Sequence, residues 1–256
     1  SPLVDVSLIA DVQSVEPGTP FHAGIRMAIA PGWHINWINP GDAGLAPSID
    51  WKLPDGFSVE PAEWPHPHRY PAGPLAIFGY QDTVTLWSAI TPPAQLDTGA
   101  GVTLAAGVDW LACEEACVPG SSSASLTLPV EATARVNVEA ARAYERTRHR
   151  VPVAAPEWTL TATYDRDAIE IEIDPVRPGD GPPPDNLFFY PDTPGIIENA
   201  EPQRLEPGGS GSRLVIPRSR MVGDIPERLT GVLVAPTGWG PSGRPALQVD
   251  IPLQPR

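Results

Sequence analysis

Proline and glycine are spread through the whole chain, and this limits the folds that it can adopt. The 256 residues include 34 prolines and 23 glycines. Proline lacks a backbone donor and breaks helices, so this density excludes long helices and suits short strands joined by turns. Between the turns, apolar residues alternate with polar ones, as they do from Phe21 to Ile29 and from Val102 to Trp110. The sequence therefore predicts an all-β fold.

A change of composition near the middle divides the chain. The first 130 residues contain roughly seven or eight strand patterns, as many as an immunoglobulin-type sandwich needs. Residues 131–150 are poor in proline and rich in alanine, arginine and glutamate, and their spacing predicts a helix from about Asn137 to about Arg148. More strand patterns follow it. We predict two immunoglobulin-like β-sandwich domains, residues 1–130 and 154–256, joined by a helical linker over residues 131–153.

The charge balance narrows the choice of partners. The chain has 17 basic and 31 acidic residues, a formal net charge of −14. Nucleic acid and anionic membrane surfaces would repel such a chain, so we expect neither as a partner. No apolar run approaches the roughly 20 residues that cross a bilayer. We also expect no small-molecule substrate and no cofactor.

The two cysteines of the chain, Cys113 and Cys117, are the main candidates for chemistry. They are separated by Glu114, Glu115 and Ala116, and apolar alternation on both sides predicts strand, short loop and strand. Two thiols this close can hold a metal, form a structural disulfide or exchange disulfides with another protein. A metal site would need further ligands, for which His66 and His68 are candidates for zinc or copper.

A purely structural bridge has little to stabilise in this position. The loop that it would close is so short that the entropic gain is about 2 kcal/mol. Thiol–disulfide exchange is therefore the favoured interpretation. Asp109, Glu114 and Glu115 lie near the thiols in sequence and oppose thiolate formation, so we expect the pair to be attacked by an outside thiolate.

Several segments of the first half together resemble the N-terminal periplasmic region of the DsbD family, most closely its suppressor-of-copper-sensitivity branch. The resemblance covers most of residues 1–130, and it is carried by Trp33–Leu45, Ile49–Gly56, Trp64–Pro65, Phe78–Tyr80 and Trp110–Gly120. Residues 154–254 are similar to the second domain of that branch, through Leu187–Pro191 and Leu229–Leu233.

The resemblance implies an immunoglobulin-like domain of an inner-membrane protein, acting in the periplasm as a protein-disulfide reductase. Cys113 and Cys117 would be its catalytic pair. The membrane domain of the same full-length chain would supply electrons, and a periplasmic thioredoxin-like protein would receive them. In DsbD an aromatic side chain covers the disulfide, and Phe78 or Tyr80 is the nearest candidate for this cap. The alternative is a non-enzymatic module that handles copper or zinc through the two thiolates.

Overall fold

The computed structural model describes residues 2–154, 157–177, 183–208, 211–220, 225–240 and 243–256. Strands predominate in these residues, and the fold is all-β and immunoglobulin-like, as the sequence predicted. The chain forms two compact units. Unit 1 comprises Ser1–Trp37, Gly44–Pro65 and Gly79–His149, and unit 2 comprises Ile38–Ala43, His66–Phe78 and Arg150–Arg256.

The first part of the chain is built from strands and one helix. These elements are β1 (Val4–Ala10), β2 (Phe21–Ile29), β3 (His34–Gly41), β4 (Ser48–Lys52), β5 (Ser58–Val59), β6 (His68–Ala72), β7 (Leu75–Tyr80), β8 (Thr83–Thr91), β9 (Gly101–Cys113), β10 (Cys117–Pro129) and α1 (Val138–Arg150). One sheet of unit 1 has the strand order β1-β2-β8-β5. In the other, β9 pairs with β10, with β3 and with β4.

The alternation of apolar residues explains the core of unit 1. Every second residue of β9 from Val102 to Val108 is buried, and the residues between them are exposed or half-buried. The same alternation places Ile25 and Met27 of β2 in the core. A strand with this pattern packs against the core with one face, and its other face is not part of that core.

The helix predicted as a linker, α1, packs on unit 1. Its Ala140 and Tyr144 are buried in a cluster with Trp87 of β8, and the Tyr144 and Trp87 ring centroids lie 5.4 Å apart. The predicted extent of the helix, about Asn137 to about Arg148, agrees with the observed Val138–Arg150. In these compact units, α1 up to His149 groups with unit 1, and two earlier segments group with unit 2. The boundaries of the two sandwich domains stay a prediction.

Unit 2 has one continuous sheet in its main part. Its strands are β11 (Trp158–Tyr164), β12 (Ala168–Pro175), β13 (Phe188–Pro191), β14 (Arg204–Pro207), β15 (Ser212–Pro217), β16 (Arg228–Trp239) and β17 (Arg244–Pro255). The strand order is β13-β16-β17-β11-β12-β15-β14. Buried aliphatic residues pack with Trp158, Phe189 and Trp239 to form its core.

No helix in the described part of the chain, α1 included, has the length and apolar character needed to cross a membrane.

Candidate functional site

The two cysteines close the tip of the β9–β10 hairpin. Cys113 is the last residue of β9 and Cys117 the first of β10, and the two pair directly in the antiparallel register. Their sulfurs form a disulfide of 2.05 Å, with Cα atoms 4.1 Å apart. The turn between them is held by the Glu114 backbone N–H, which donates to the Ala116 carbonyl at 3.3 Å. The bridge therefore links neighbours that the hairpin already holds together.

The two halves of the disulfide differ in their access to solvent. Cys113 is 4% exposed, whereas Cys117 is exposed. The sheet topology explains the difference, because β9 has neighbours on both sides and β10 is the last strand in its sheet order. A thiolate from outside reaches the Cys117 sulfur more readily than the Cys113 sulfur, and access is one of the factors that select which sulfur is attacked.

A histidine lies on the other side of Cys113. His34 is the first residue of β3, and it pairs directly with Cys113 in the β3–β9 ladder. Residues directly opposite in an antiparallel pair present their side chains on the same face, with Cβ atoms about 4.5–5.5 Å apart. His34, Cys113 and Cys117 therefore form one row across three strands. The neighbouring pair, Ile35 with Ala112, belongs to the core face, so the row lies on the opposite face.

Burial determines the charge state of this histidine. His34 is 6% exposed, and the resulting desolvation lowers its pKa. A lowered pKa favours the neutral imidazole at neutral pH, in which one ring nitrogen carries no proton. Trp33–Leu45 is one of the segments that carry the family resemblance, but nothing in the sequence indicated that His34 pairs with Cys113, because strand register cannot be read from a single sequence.

Acidic side chains surround the exposed end of the bridge. Glu114 and Glu115 are exposed in the turn, as is Asp109 earlier in β9. Glu114 folds back over the β2–β3 turn, where a Cβ atom placed on Gly32 would lie 2.7 Å from its Oε1 atom. Gly32 also has a φ of 87°, a conformation that favours glycine. The surface that a partner would meet at this end of the hairpin is therefore acidic.

An apolar pocket lies next to the disulfide row on the same face. It has a volume of about 440 Å³, and Leu45, Leu111 and Pro119 are part of its lining. Leu111 pairs with Pro119, two residues along each strand from the cysteines, and a two-residue step returns to the same face of a strand. Leu45 is 66% exposed. The disulfide thus has an apolar surface beside it that is large enough for side chains of a partner.

The two predicted cap residues are both buried. The Phe78 ring packs in unit 2 against Tyr190 and Phe188, with centroid distances of 4.9 and 6.1 Å. Tyr80 belongs to unit 1, where its hydroxyl donates to the Pro65 carbonyl at 2.6 Å. Their role as a cap over the disulfide stays a prediction.

The histidines named for a metal site lie in unit 2, whereas the cysteines lie in unit 1. The His66 and His68 rings are 5.7 Å apart, and His68 Nε2 lies 3.2 Å from an Arg150 guanidinium nitrogen. Burial, followed by the charge of Arg150, lowers the pKa of His68. Among the described residues, no group of three or more His, Cys, Asp or Glu side chains has an arrangement suited to a metal ion.

Comparison with known structures shows a similar fold in the N-terminal periplasmic domain of ScsB from Proteus mirabilis. That domain is 18% identical to this chain, with a TM-score of 0.62, and the match covers 96% of this chain and 92% of the ScsB domain. The major pilin subunit BcpA of Bacillus cereus is 8% identical, with a TM-score of 0.30, and the match covers 99% of this chain and 69% of the pilin chain. No curated protein sequence matches this chain.

The family comparison covers the half of the chain that contains the disulfide. Residues 2–129 match the model of the N-terminal region of thiol:disulfide interchange protein DsbD. This range contains β1 to β10 and both cysteines. The chain therefore belongs to the family of DsbD N-terminal regions, for which thiol–disulfide interchange is the general activity.

Proposed function

We propose that this chain is a periplasmic thiol–disulfide exchange domain in a membrane-bound reductant relay. Cys113 and Cys117 take electrons from the membrane domain of the same full-length protein and pass them to a thioredoxin-like partner. The observation that carries the proposal is the disulfide at the hairpin tip, with one sulfur buried and the other exposed. The family match supports the exchange chemistry. The likeness of fold to a periplasmic ScsB domain supports the compartment.

The position of the bridge favours exchange over a structural role. Thirteen residue pairs already join β9 and β10 in register, so breaking the disulfide leaves the hairpin in place. The bridge closes a turn of three residues, and the expected stabilisation is about 2 kcal/mol. A disulfide that contributes little to stability can be broken and re-formed in each exchange cycle without unfolding the domain.

The exposed sulfur defines the order of steps. In the reduced domain, the Cys117 thiolate attacks a disulfide sulfur of the partner, and one partner sulfur leaves as a thiolate. Cys113 then attacks the Cys117 sulfur of the mixed disulfide, which forms the Cys113–Cys117 bond and releases the second partner sulfur. Two electrons pass to the partner. Re-reduction runs in reverse, with an incoming thiolate attacking Cys117 and Cys113 leaving.

The apolar pocket beside the bridge gives the partner a docking surface. Leu45 and Pro119 are both exposed or partly exposed next to the row that contains Cys117. Burial of such apolar surface contributes roughly 25 cal/mol per Å² removed from water, which can position a partner for attack without a large interface. The acidic turn at Glu114 and Glu115 favours a partner with a basic or neutral surface around its own cysteines.

The reduction potential tests this proposal directly. The protein is equilibrated in dithiothreitol or glutathione redox buffers, and the oxidised fraction is measured by alkylation and mass spectrometry. We expect a potential above about −300 mV, the range of exchanging rather than structural disulfides. A potential well below that value would contradict the proposal.

A trapping experiment identifies the attacking residue. Cys113→Ala retains the exposed Cys117 thiol and should accumulate a mixed disulfide with an oxidised thioredoxin used as the probe. Cys117→Ala should trap much less, because Cys113 is buried. The double variant Cys113→Ala/Cys117→Ala is the matched control, and exchange by that variant would show that the chemistry lies elsewhere.

A further inference from the structure

His34, Cys113 and Cys117 form one row across β3, β9 and β10. The two ladder pairings are His34 with Cys113 and Cys113 with Cys117. The buried cysteine therefore lies between its disulfide partner and an imidazole, on one face of the sheet. His34 and Cys113 are both nearly inaccessible, at 6% and 4% exposure.

The buried position of Cys113 poses a chemical problem for the exchange proposed above. To resolve a mixed disulfide on Cys117, Cys113 must react as a thiolate. Burial disfavours the charged form of a thiol, and no Lys or Arg precedes or follows Cys113 closely in sequence. A nearby proton acceptor would remove this obstacle, and the direct ladder neighbour of Cys113 is a histidine whose burial favours the neutral form.

We propose that His34 accepts the proton of the Cys113 thiol during resolution of the mixed disulfide. The Cys113 S–H bond breaks, the proton moves to the imidazole of His34, and the sulfur electron pair forms the bond to Cys117. The partner sulfur leaves as a thiolate, and the imidazolium then releases its proton to solvent. In re-reduction, His34 takes up a proton from solvent and donates it to the leaving Cys113 thiolate. This inference rests on the exchange function proposed above.

The charged groups near the row come from each neighbouring element. Glu114 and Glu115 lie in the turn, Asp109 on β9, and Asp50 and Lys52 on β4, which pairs with β9 further along. All five are exposed, and Asp50 and Lys52 pair with each other at 2.6 Å. Burial is the cause of the lowered His34 pKa. Burial, and not a neighbouring charge, therefore favours the neutral form of the His34 imidazole.

Stopped-flow reaction of the reduced protein with dithiodipyridine tests the proposal without a protein partner. Attack by Cys117 releases one thiopyridone in a first phase, and resolution by Cys113 releases a second in an intramolecular phase. In His34→Gln we expect the second phase to slow by at least about tenfold at pH 7, since general acid–base catalysis usually contributes roughly 10²- to 10⁴-fold. The first phase should stay within about twofold of wild type. His149→Gln, an exposed histidine of α1, is the control.

The pH profile separates proton transfer from a structural effect. The rates of wild type and His34→Gln should converge at high pH, where hydroxide deprotonates Cys113 without help. An unchanged second phase, or one slowed equally at all pH values, would overturn the proposal. Absence of both phases in wild type would instead reject the exchange function.

A measurement on the wild type covers the case in which His34→Gln fails to fold. The pKa of the His34 imidazole is followed by NMR in the disulfide and dithiol forms. We expect it to differ between the two forms, because the Cys113 thiol replaces a bridged sulfur beside the ring. Identical titration curves would overturn the proposal.

Discussion

One acidic cluster in each unit shows a contrast in how carboxylates are paired. In unit 2, Arg213 lies among three carboxylates, with distances of 3.6 Å to Glu170, 3.9 Å to Glu172 and 3.4 Å to Glu206. At the hairpin tip of unit 1, Glu114 and Glu115 take part in no salt bridge with any residue that the structure describes. Carboxylates paired with an arginine stabilise a sheet surface, whereas unpaired carboxylates produce an electrostatic field that acts on an approaching molecule. The hairpin tip therefore keeps a local negative charge that, under the proposed function, an approaching partner would meet, whereas the carboxylates around Arg213 are paired with its guanidinium.

The units also differ in how they are held together. Unit 2 contains no cysteine, and its core includes an edge-to-face pair of Trp158 and Trp239 with ring centroids 5.7 Å apart. Unit 1 has a disulfide, but it closes only a short turn at the end of a sheet. Packing therefore stabilises both units, and the covalent bond of unit 1 is left free for chemistry. The following predictions test this distinction, from the largest expected effect to the smallest.

Removing the exposed sulfur should have the largest effect, and it should be confined to activity. In Cys117→Ala we expect disulfide exchange to fall to the background rate, because no second sulfur can form the bridge. The free energy of unfolding should fall by no more than about 2 kcal/mol, since the lost loop closure is short. Exchange assays and urea unfolding measure the two effects. A much larger loss of stability would assign the bridge a structural role.

Removing a core tryptophan of unit 2 should lower stability and leave disulfide exchange unchanged. Trp239 is 2% exposed, and Trp239→Ala should lower the free energy of unfolding by about 3–5 kcal/mol because it leaves a cavity. Trp239→Phe, which keeps an aromatic ring against Trp158, should cost less. Calorimetry gives the stabilities of both variants. We also expect folded Trp239→Ala to exchange disulfides at the wild-type rate.

A small residue beside the disulfide should be sensitive to enlargement. A Cβ atom on Gly120 of β10 would lie 2.6 Å from the Trp110 ring, so Gly120→Ala should cost about 1–3 kcal/mol through overpacking. Gly107 of β9 is the matched control, since a Cβ atom there meets nothing within 4 Å. Chemical denaturation of the two alanine variants gives the comparison. Equal stabilities would mean that Trp110 moves aside freely.

The smallest expected effect is the contribution of His34 to the pH dependence of the stability of unit 1. Its pKa is lower in the folded than in the unfolded protein, so between these two values the unfolded chain binds more protons. The stability contributed by the neutral histidine is present above the unfolded pKa of about 6.5 and is lost as pH falls through the folded pKa. Unfolding measured between about pH 7 and pH 5 should show a weaker pH dependence in His34→Gln than in wild type. An equal slope in the two proteins would assign the dependence to other groups.

Local pattern was sufficient to predict most elements. Phe21–Ile29 alternates in sequence and is β2, and the alanine-rich segment forms α1 within two residues of the predicted ends. Hydrophobic period is a local property, so a single sequence reveals it. The packing of α1 on Trp87 depends on residues more than 50 positions apart, and for this reason the helix was predicted only as a linker.

The cysteine pair and its acidic neighbours were read from the sequence because they are adjacent in the chain. Composition, alternation and the spacing of Cys113 and Cys117 determined an all-β chain with two cysteines at a short hairpin turn. The tertiary structure decided which sulfur is exposed and placed His34 beside Cys113, 79 residues away. Both depend on strand order and register, which arise when distant strands pair, and no local pattern encodes them.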